Sequence, residues 1–123
     1  VDDEDGVRRT MSRLLSRDHD LVMASSGEEA CDILEGDRKF DLILCDLMMP
    51  KMSGMDLHAW LAQRDGRLAS QVVFVTGGAF TPRASEYLNS VDNLRVEKPF
   101  DGTNFRKLVA ELIRAGRSRE AAG

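Results

Sequence analysis

Five side chains in this sequence could do chemistry together: Asp2, Asp3, Asp46, Thr76 and Lys98. Each stands at or just past the end of a short apolar run. Two carboxylates about 4 Å apart repel by roughly 4 kcal/mol at an effective dielectric near 20. Three of them brought together must therefore bind a cation or hold a proton. An all-oxygen site with few protein ligands and room for water suits Mg²⁺. Lys98 adds a mobile positive charge and Thr76 a hydroxyl donor. These parts fit a carboxylate nucleophile attacking phosphorus, with catalysis by positioning and charge neutralisation.

The elements that must position these groups alternate in period. Leu21–Ala24, Asp41–Cys45 and Gln71–Val75 are short runs with little polar interruption, and read as strands buried on both faces. Leu94-Arg95-Val96 is a fourth, more edge-like candidate. Between them lie helical faces: Val7, Met11, Leu14 and Leu15; Ala30, Cys31 and Leu34; Leu57, Trp60 and Leu61; Ala84, Tyr87 and Leu88; and Phe105, Leu108, Val109, Leu112 and Ile113. Ser26 with Glu29 predicts a capping box. Thr81-Pro82 reads as an N-cap with proline at the first helical position, and Asp101 as a cap for the last helix. Strand then helix, repeated, predicts an α/β domain with a parallel sheet covered on both faces. Only Val1 precedes Asp2, so the reading expects a trimmed first strand that ends at Val1. Residues 1–116 are expected to form the domain and 117–123 a polar tail or linker. In doubly wound sheets, ligands bind at the carboxyl ends of the strands. All five side chains fall on that rim.

Composition narrows the class. The chain has 123 residues, enough for one domain with its own core, and 42% hydrophobic with 31% charged residues is a globular balance. A net charge of −4 argues against nucleic-acid binding by this domain. No apolar run approaches a membrane span, so a cytoplasmic protein without membrane contact is expected. Cys31 and Cys45 lack metal-ligand or CxxC spacing and read as reduced thiols. His58 reads as solvated on its helix, His19 as a loop residue and Trp60 as packing. Asp41 and Asp56 read as polar starts of a strand and a helix. Glu4 and Asp5 read as first-turn charges favoured by the helix dipole, not ligands.

Five segments carry a family likeness. Asp2-Asp3-Glu4, Leu42–Pro50, Ser53-Gly54-Met55-Asp56, Thr76-Gly77-Gly78 and Lys98-Pro99-Phe100 occur in the order and at the spacing of response-regulator receiver domains, which the chain resembles over nearly its whole length. The resemblance implies a doubly wound five-stranded parallel sheet in the flavodoxin-like order 2-1-3-4-5, its first strand truncated here. It implies that Asp46 is the phosphoacceptor, with Mg²⁺ held by Asp46, by Asp3 directly, by Asp2 through water and by the Met48 backbone carbonyl. Thr76 and Lys98 would contact phosphoryl oxygens, and the Lys98–Pro99 peptide would be cis. The implied partner is a histidine kinase or a histidine phosphotransfer protein, and a homodimer stays open. Stretches 76–82 and 97–101 look most like receivers at the C-terminus of hybrid sensor histidine kinases. A stand-alone regulator, or a receiver cut from one with an output domain, is the other parent.

One position departs from the pattern. Many receivers carry Tyr or Phe three residues before the lysine as part of an aromatic switch, and here that residue is Arg95. An unpaired arginine is costly to bury. Arg95 is therefore expected at the surface, in reach of Glu86, and as a partner contact. Other functions fit less well. A hydrolase of the haloacid-dehalogenase kind normally has a second Asp two residues after its nucleophile, where this chain has Met48. A flavin- or nucleotide-binding module would find its phosphate repelled by Asp2–Asp5. A pseudo-receiver would not need the full set of five.

Overall fold

The computed structural model describes residues 1–77 and 81–122, with side chains described through Gly116. Its elements run α1 (Asp5–Leu15), α2 (Gly27–Gly36), β1 (Ile43–Asp46), α3 (Gly54–Arg64), α4 (Gly66–Ala69), β2 (Val72–Thr76), α5 (Pro82–Ser90), β3 (Arg95–Glu97) and α6 (Gly102–Ala122). The described strands form one parallel sheet in the order β1-β2-β3. Register pairs Cys45 with Phe74, Asp46 with Val75 and Thr76 with Glu97. Every residue of β2 is buried, as a central parallel strand requires.

Two apolar layers cover the sheet. On one face Ala30 and Leu34 of α2, Leu57 and Leu61 of α3 and Ala84 and Leu88 of α5 pack with Ile43, Cys45, Val72 and Phe74. On the other, Leu15 of α1 and Phe105 and Val109 of α6 pack with Leu44 and Val96. Full burial of a side chain such as Phe74 contributes about 2–3 kcal/mol. Phe100 stacks on Phe105 at 4.4 Å and closes the second layer beside the last strand.

The expected strand at Leu21–Ala24 does not form, and the described sheet has three strands where five were expected. The reason is the pairing partner. Only Val1 and Asp2 lie between that segment and β1. The Val1 amino group donates to the Leu44 carbonyl at 2.6 Å. The Asp46 N–H donates to the Val1 carbonyl at 2.8 Å, and the Asp2 N–H to the Ala24 carbonyl at 3.1 Å. Two residues cannot supply a ladder for four. Val22 and Met23 are exposed accordingly, not buried on both faces.

Caps and ends bring further corrections. Ser26 does cap α2, accepting from the Glu29 N–H. The Glu29 carboxylate, however, accepts from the neighbouring Ser25 hydroxyl, so the reciprocal half of the box is not made there. The full capping box belongs to α3, between Ser53 and Asp56. Thr81 caps α5 with Pro82 behind it, and Asp101 accepts from the Thr103 and Asn104 N–H groups. α6 continues to Ala122, so the backbone of 117–122, expected as a tail, is helical. Gly78–Phe80, part of the family-like stretch, and Gly123 lie outside the described residues. Cys31 and Cys45 are free, and burial pushes the Cys45 thiol up to about 12, which keeps it unreactive.

His58 is the clearest misreading. It is buried, 7% exposed, on the face of α3 that meets β2 and α5. Its ring meets Phe74 and Tyr87 edge-on, and Nδ1 shares a 2.6 Å hydrogen bond with the Tyr87 hydroxyl. Burial lowers its pKa from the ordinary value, although the Ala69 carbonyl and the Asn93 side chain pull the other way. The helical period showed only that position 58 lies one residue past the apolar Leu57. It could not show that Tyr87, far along the chain, would bring a polar partner.

Candidate functional site

The parallel register sets the rim. β1 ends on Asp46 and β2 ends on Thr76, one residue further along the sheet. The Lys98 N–H donates to the Thr76 carbonyl at 2.8 Å, which hangs the lysine from the end of the central strand. The Lys98–Pro99 peptide is cis. The third element is the turn before α1, where Oδ1 of Asp2 accepts from the Glu4 N–H at 2.9 Å.

Behind Asp46 the chain turns sharply. Lys51 takes a left-handed φ of 66°, and the Gly54 N–H then reaches back to the Leu47 carbonyl at 3.0 Å. Gly54 starts α3 directly against the strand end. A Cβ there would lie 2.4 Å from the Asp46 carbonyl oxygen and 3.0 Å from the Leu47 Cα. Only glycine allows this approach.

These elements gather the acidic groups. Asp2, Asp3 and Asp46 each bring a carboxylate oxygen to within 4.8 Å of the others. Asp2 is fully buried and Asp46 is 5% exposed, while Asp3 is open to solvent. The Lys98 ammonium lies 3.0 Å from Asp2 Oδ2 and 3.7 Å from Asp46 Oδ1. Its contact with Asp2 is an ion pair without hydrogen-bond alignment, since Oδ2 of Asp2 has no hydrogen-bond partner. A buried carboxylate oxygen with one lone cation beside it and two more carboxylates close by suits a divalent metal. The residues present therefore fit Mg²⁺.

The electrostatics follow from burial and like charge. Burial first, then the Asp2 carboxylate, push the Asp46 carboxyl up to about 6, against the opposing pull of Lys98 and the Met48 amide. Burial pulls the Lys98 ammonium down, but its contact with Asp2 and the charge of Asp46 outweigh that, and its pKa rises. Glu4 and Asp5 stay outside the cluster. Glu4 is the exposed N-cap position of α1, and Asp5 pairs with Arg8. Met48 is 44% exposed beside the site. Arg95 is exposed on β3 and, among the described residues, makes no ion pair with Glu86. A separate cleft of about 320 Å³ lies at the amino ends of the strands, lined by Arg38, Arg67 and Gln71 among others, and holds none of these groups.

Residues 1–110 match the family model of the response regulator receiver domain. The chain belongs to the response regulator receiver family. Its relatives include the transcriptional regulatory protein SrrA of Staphylococcus aureus, 31% identical over 119 residues, which are 96% of this chain and 48% of that protein. The chain thus spans about half the length of the curated relatives it matches. A response regulator receiver domain protein from Clostridium thermocellum shares the fold at a TM-score of 0.79 and 24% identity, covering 98% of this chain and 93% of that one. The receiver domain of a signal transduction histidine kinase from Syntrophus aciditrophicus does so at 0.80 and 24%, covering 94% and 87%. The fold is thus the flavodoxin-like receiver fold, with β1, β2 and β3 in the places of its third, fourth and fifth strands.

Two contributors escaped the sequence reading. Gly54 was visible only as part of a motif, with no sign that its hydrogen must meet a carbonyl. Arg8 carries no signal in its residue type or spacing. In fact it donates to the Asp2 carbonyl at 2.7 Å.

Proposed function

We propose that the domain accepts a phosphoryl group on Asp46 from the phosphohistidine of a histidine kinase or histidine phosphotransfer protein, and that the modified state changes partner binding. The observation that carries this reading is the Asp2, Asp3 and Asp46 cluster with Lys98 reaching both buried carboxylates. Asp46 supplies the attacking carboxylate oxygen. Lys98 is placed to follow the charge from Asp46 onto the incoming phosphoryl oxygens. Thr76, buried at the adjoining strand end, is placed to donate its hydroxyl to the same oxygens. Asp2, Asp3, Asp46 and the Met48 carbonyl would hold Mg²⁺. Bound there, the ion would neutralise the gathered negative charge and lower the cost of bringing in more. The site holds one acceptor and no second acid two residues on, which suits a single transfer and slow loss instead of multiple-turnover hydrolysis.

Incubation with acetyl phosphate and Mg²⁺ should add one phosphoryl group. Asp46→Asn should abolish the addition, and excess chelator should suppress it. Equal labelling of Asp46→Asn would refute the assignment.

Two parents fit. The stretch Glu97–Asp101 and the fold shared with a histidine kinase's receiver support a C-terminal receiver of a hybrid sensor kinase. The match to half of a transcriptional regulatory protein supports a regulator with an output domain. A phosphoacceptor-histidine helix and ATPase domain in the same polypeptide would decide for the first. Among the described residues no helix is long and apolar enough to cross a membrane.

A further inference from the structure

We infer that Arg8 is a positioning residue for the divalent cation, a two-point clamp that fixes the turn carrying Asp2 and Asp3. The inference rests on the reading of the acidic cluster as a cation site. Arg8 lies in the first turns of α1, and its own N–H donates to the Glu4 carbonyl at 3.1 Å. One guanidinium nitrogen, Nη1, donates to the Asp2 backbone carbonyl at 2.7 Å. The other, Nη2, pairs with the Asp5 carboxylate. The side chain is only 20% exposed, so it lies along the turn instead of reaching into solvent.

The consequence is an Asp2 held at three points. Its N–H is held by the Ala24 carbonyl, its carbonyl by Arg8 and its Oδ1 by the Glu4 N–H. Oδ2 is left, and it faces Lys98. Asp3 sits between pinned Asp2 and pinned Glu4, so its backbone is set from both sides although its carboxylate is exposed. A planar guanidinium with a fixed fork can span two acceptors in a way an ammonium cannot.

Charge and geometry make opposite demands here. As a positive charge near a cation site, Arg8 should weaken metal binding by repulsion. As a clamp it should strengthen binding, because preorganised ligands need no ordering when the ion arrives. The sign of the effect therefore separates the two. Calorimetric titration of Mg²⁺ into the protein, Arg8→Ala and Arg8→Lys should show dissociation constants at least about fivefold weaker for both variants. Arg8→Lys keeps the charge but loses the fork. The rate of phosphorylation by acetyl phosphate should return to the parent level at saturating Mg²⁺, which a general loss of structure would not allow.

Binding by Arg8→Ala as tight as the parent's, or tighter, overturns the clamp while leaving the cation site intact. A rate still depressed at saturating Mg²⁺ also overturns it. No Mg²⁺ binding by the parent protein overturns both readings. Should Arg8→Ala fail to fold, Arg8→Lys and Arg8→Gln decide by the same comparison, and parent-like affinity in both rejects the clamp.

Discussion

Two buried polar clusters are supported by the third helix, one at its start and one along its buried face, and they are built on opposite principles. The rim at Asp46 gathers like charges and leaves Asp2 Oδ2 without a hydrogen bond. The pocket at His58 pairs its one polar ring with Tyr87 and encloses it in Phe74 and Tyr87 edges. Both groups are displaced by burial, in directions set by their charged forms. The Asp46 carboxyl is pushed up to about 6, and the His58 imidazole is lowered. A satisfied group specifies packing, whereas an unsatisfied one waits for a ligand. The contrast sets a hydrogen-bonded histidine apart from a carboxylate cluster that has the makings of a cation site, without reference to any relative.

The comparison breaks first where the two clusters share a support. α3 carries His58 and begins at Gly54, against the Asp46 carbonyl. Gly54→Ala must move backbone atoms, because the added carbon meets backbone and no flexible side chain. It should cost about 3 kcal/mol or more, at the upper end of overpacking penalties, and lower both stability and phosphorylation. Urea denaturation checks the first. A loss under about 1 kcal/mol would mean that α3 slides freely on its strand.

On the pocket side, His58→Leu should cost about 1–2 kcal/mol, since it removes one buried hydrogen bond and strands the Tyr87 hydroxyl. Its pH signature follows from the lowered pKa. Neutral His58 contributes stability that is present above the unfolded value of 6.5 and is lost as pH falls through the lower folded value. Melting of His58→Leu should thus fall less on acidification than melting of the parent. Parallel curves would place the ring in water. The rim should behave in the opposite sense. The raised Asp46 value gives stability present below 3.8 and lost as pH rises through about 6. Asp46→Asn in chelator should therefore melt higher than the parent at pH 7, by a few degrees, on the order of a 1 kcal/mol effect in a domain of this size. The gap should close toward pH 4. A lower melting temperature at pH 7 would show that the Asp46 carboxylate holds the fold together.

The legible part of the molecule was whatever one side chain type and one spacing could carry. Asp46 and Thr76 end apolar runs, so their place on the rim followed from the parallel sheet, and Thr81-Pro82 announced α5. What stayed hidden depended on a second residue far along the chain. Leu21–Ala24 looked like a strand because strand propensity is local, but a strand is made by its neighbour. Ser26 and Glu29 had the spacing of a capping box, yet Ser25 offered Glu29 a nearer donor. The Ser53 and Asp56 pair had the same spacing and did close the box. His58 and Arg8 owe their roles to Tyr87 and to the Asp2 carbonyl, which no periodicity reveals.

The smallest expected effect belongs to Arg95. It lies on the same strand face as Phe74, opposite it in register, yet is open to solvent. Among the described residues it makes no ion pair with its expected partner Glu86, and an exposed pair would contribute only about 0–1 kcal/mol in any case. Arg95→Ala should therefore leave melting within about 0.5 kcal/mol of the parent and leave labelling by acetyl phosphate unchanged. An exposed arginine beside the exposed Leu94 is well suited to a partner surface, where arginine is enriched among the residues that dominate binding. Transfer from the cognate kinase should then slow while transfer from the small donor does not. If both rates fall together, Arg95 acts on the Asp46 rim, and the separation between rim and outer surface fails at its far end.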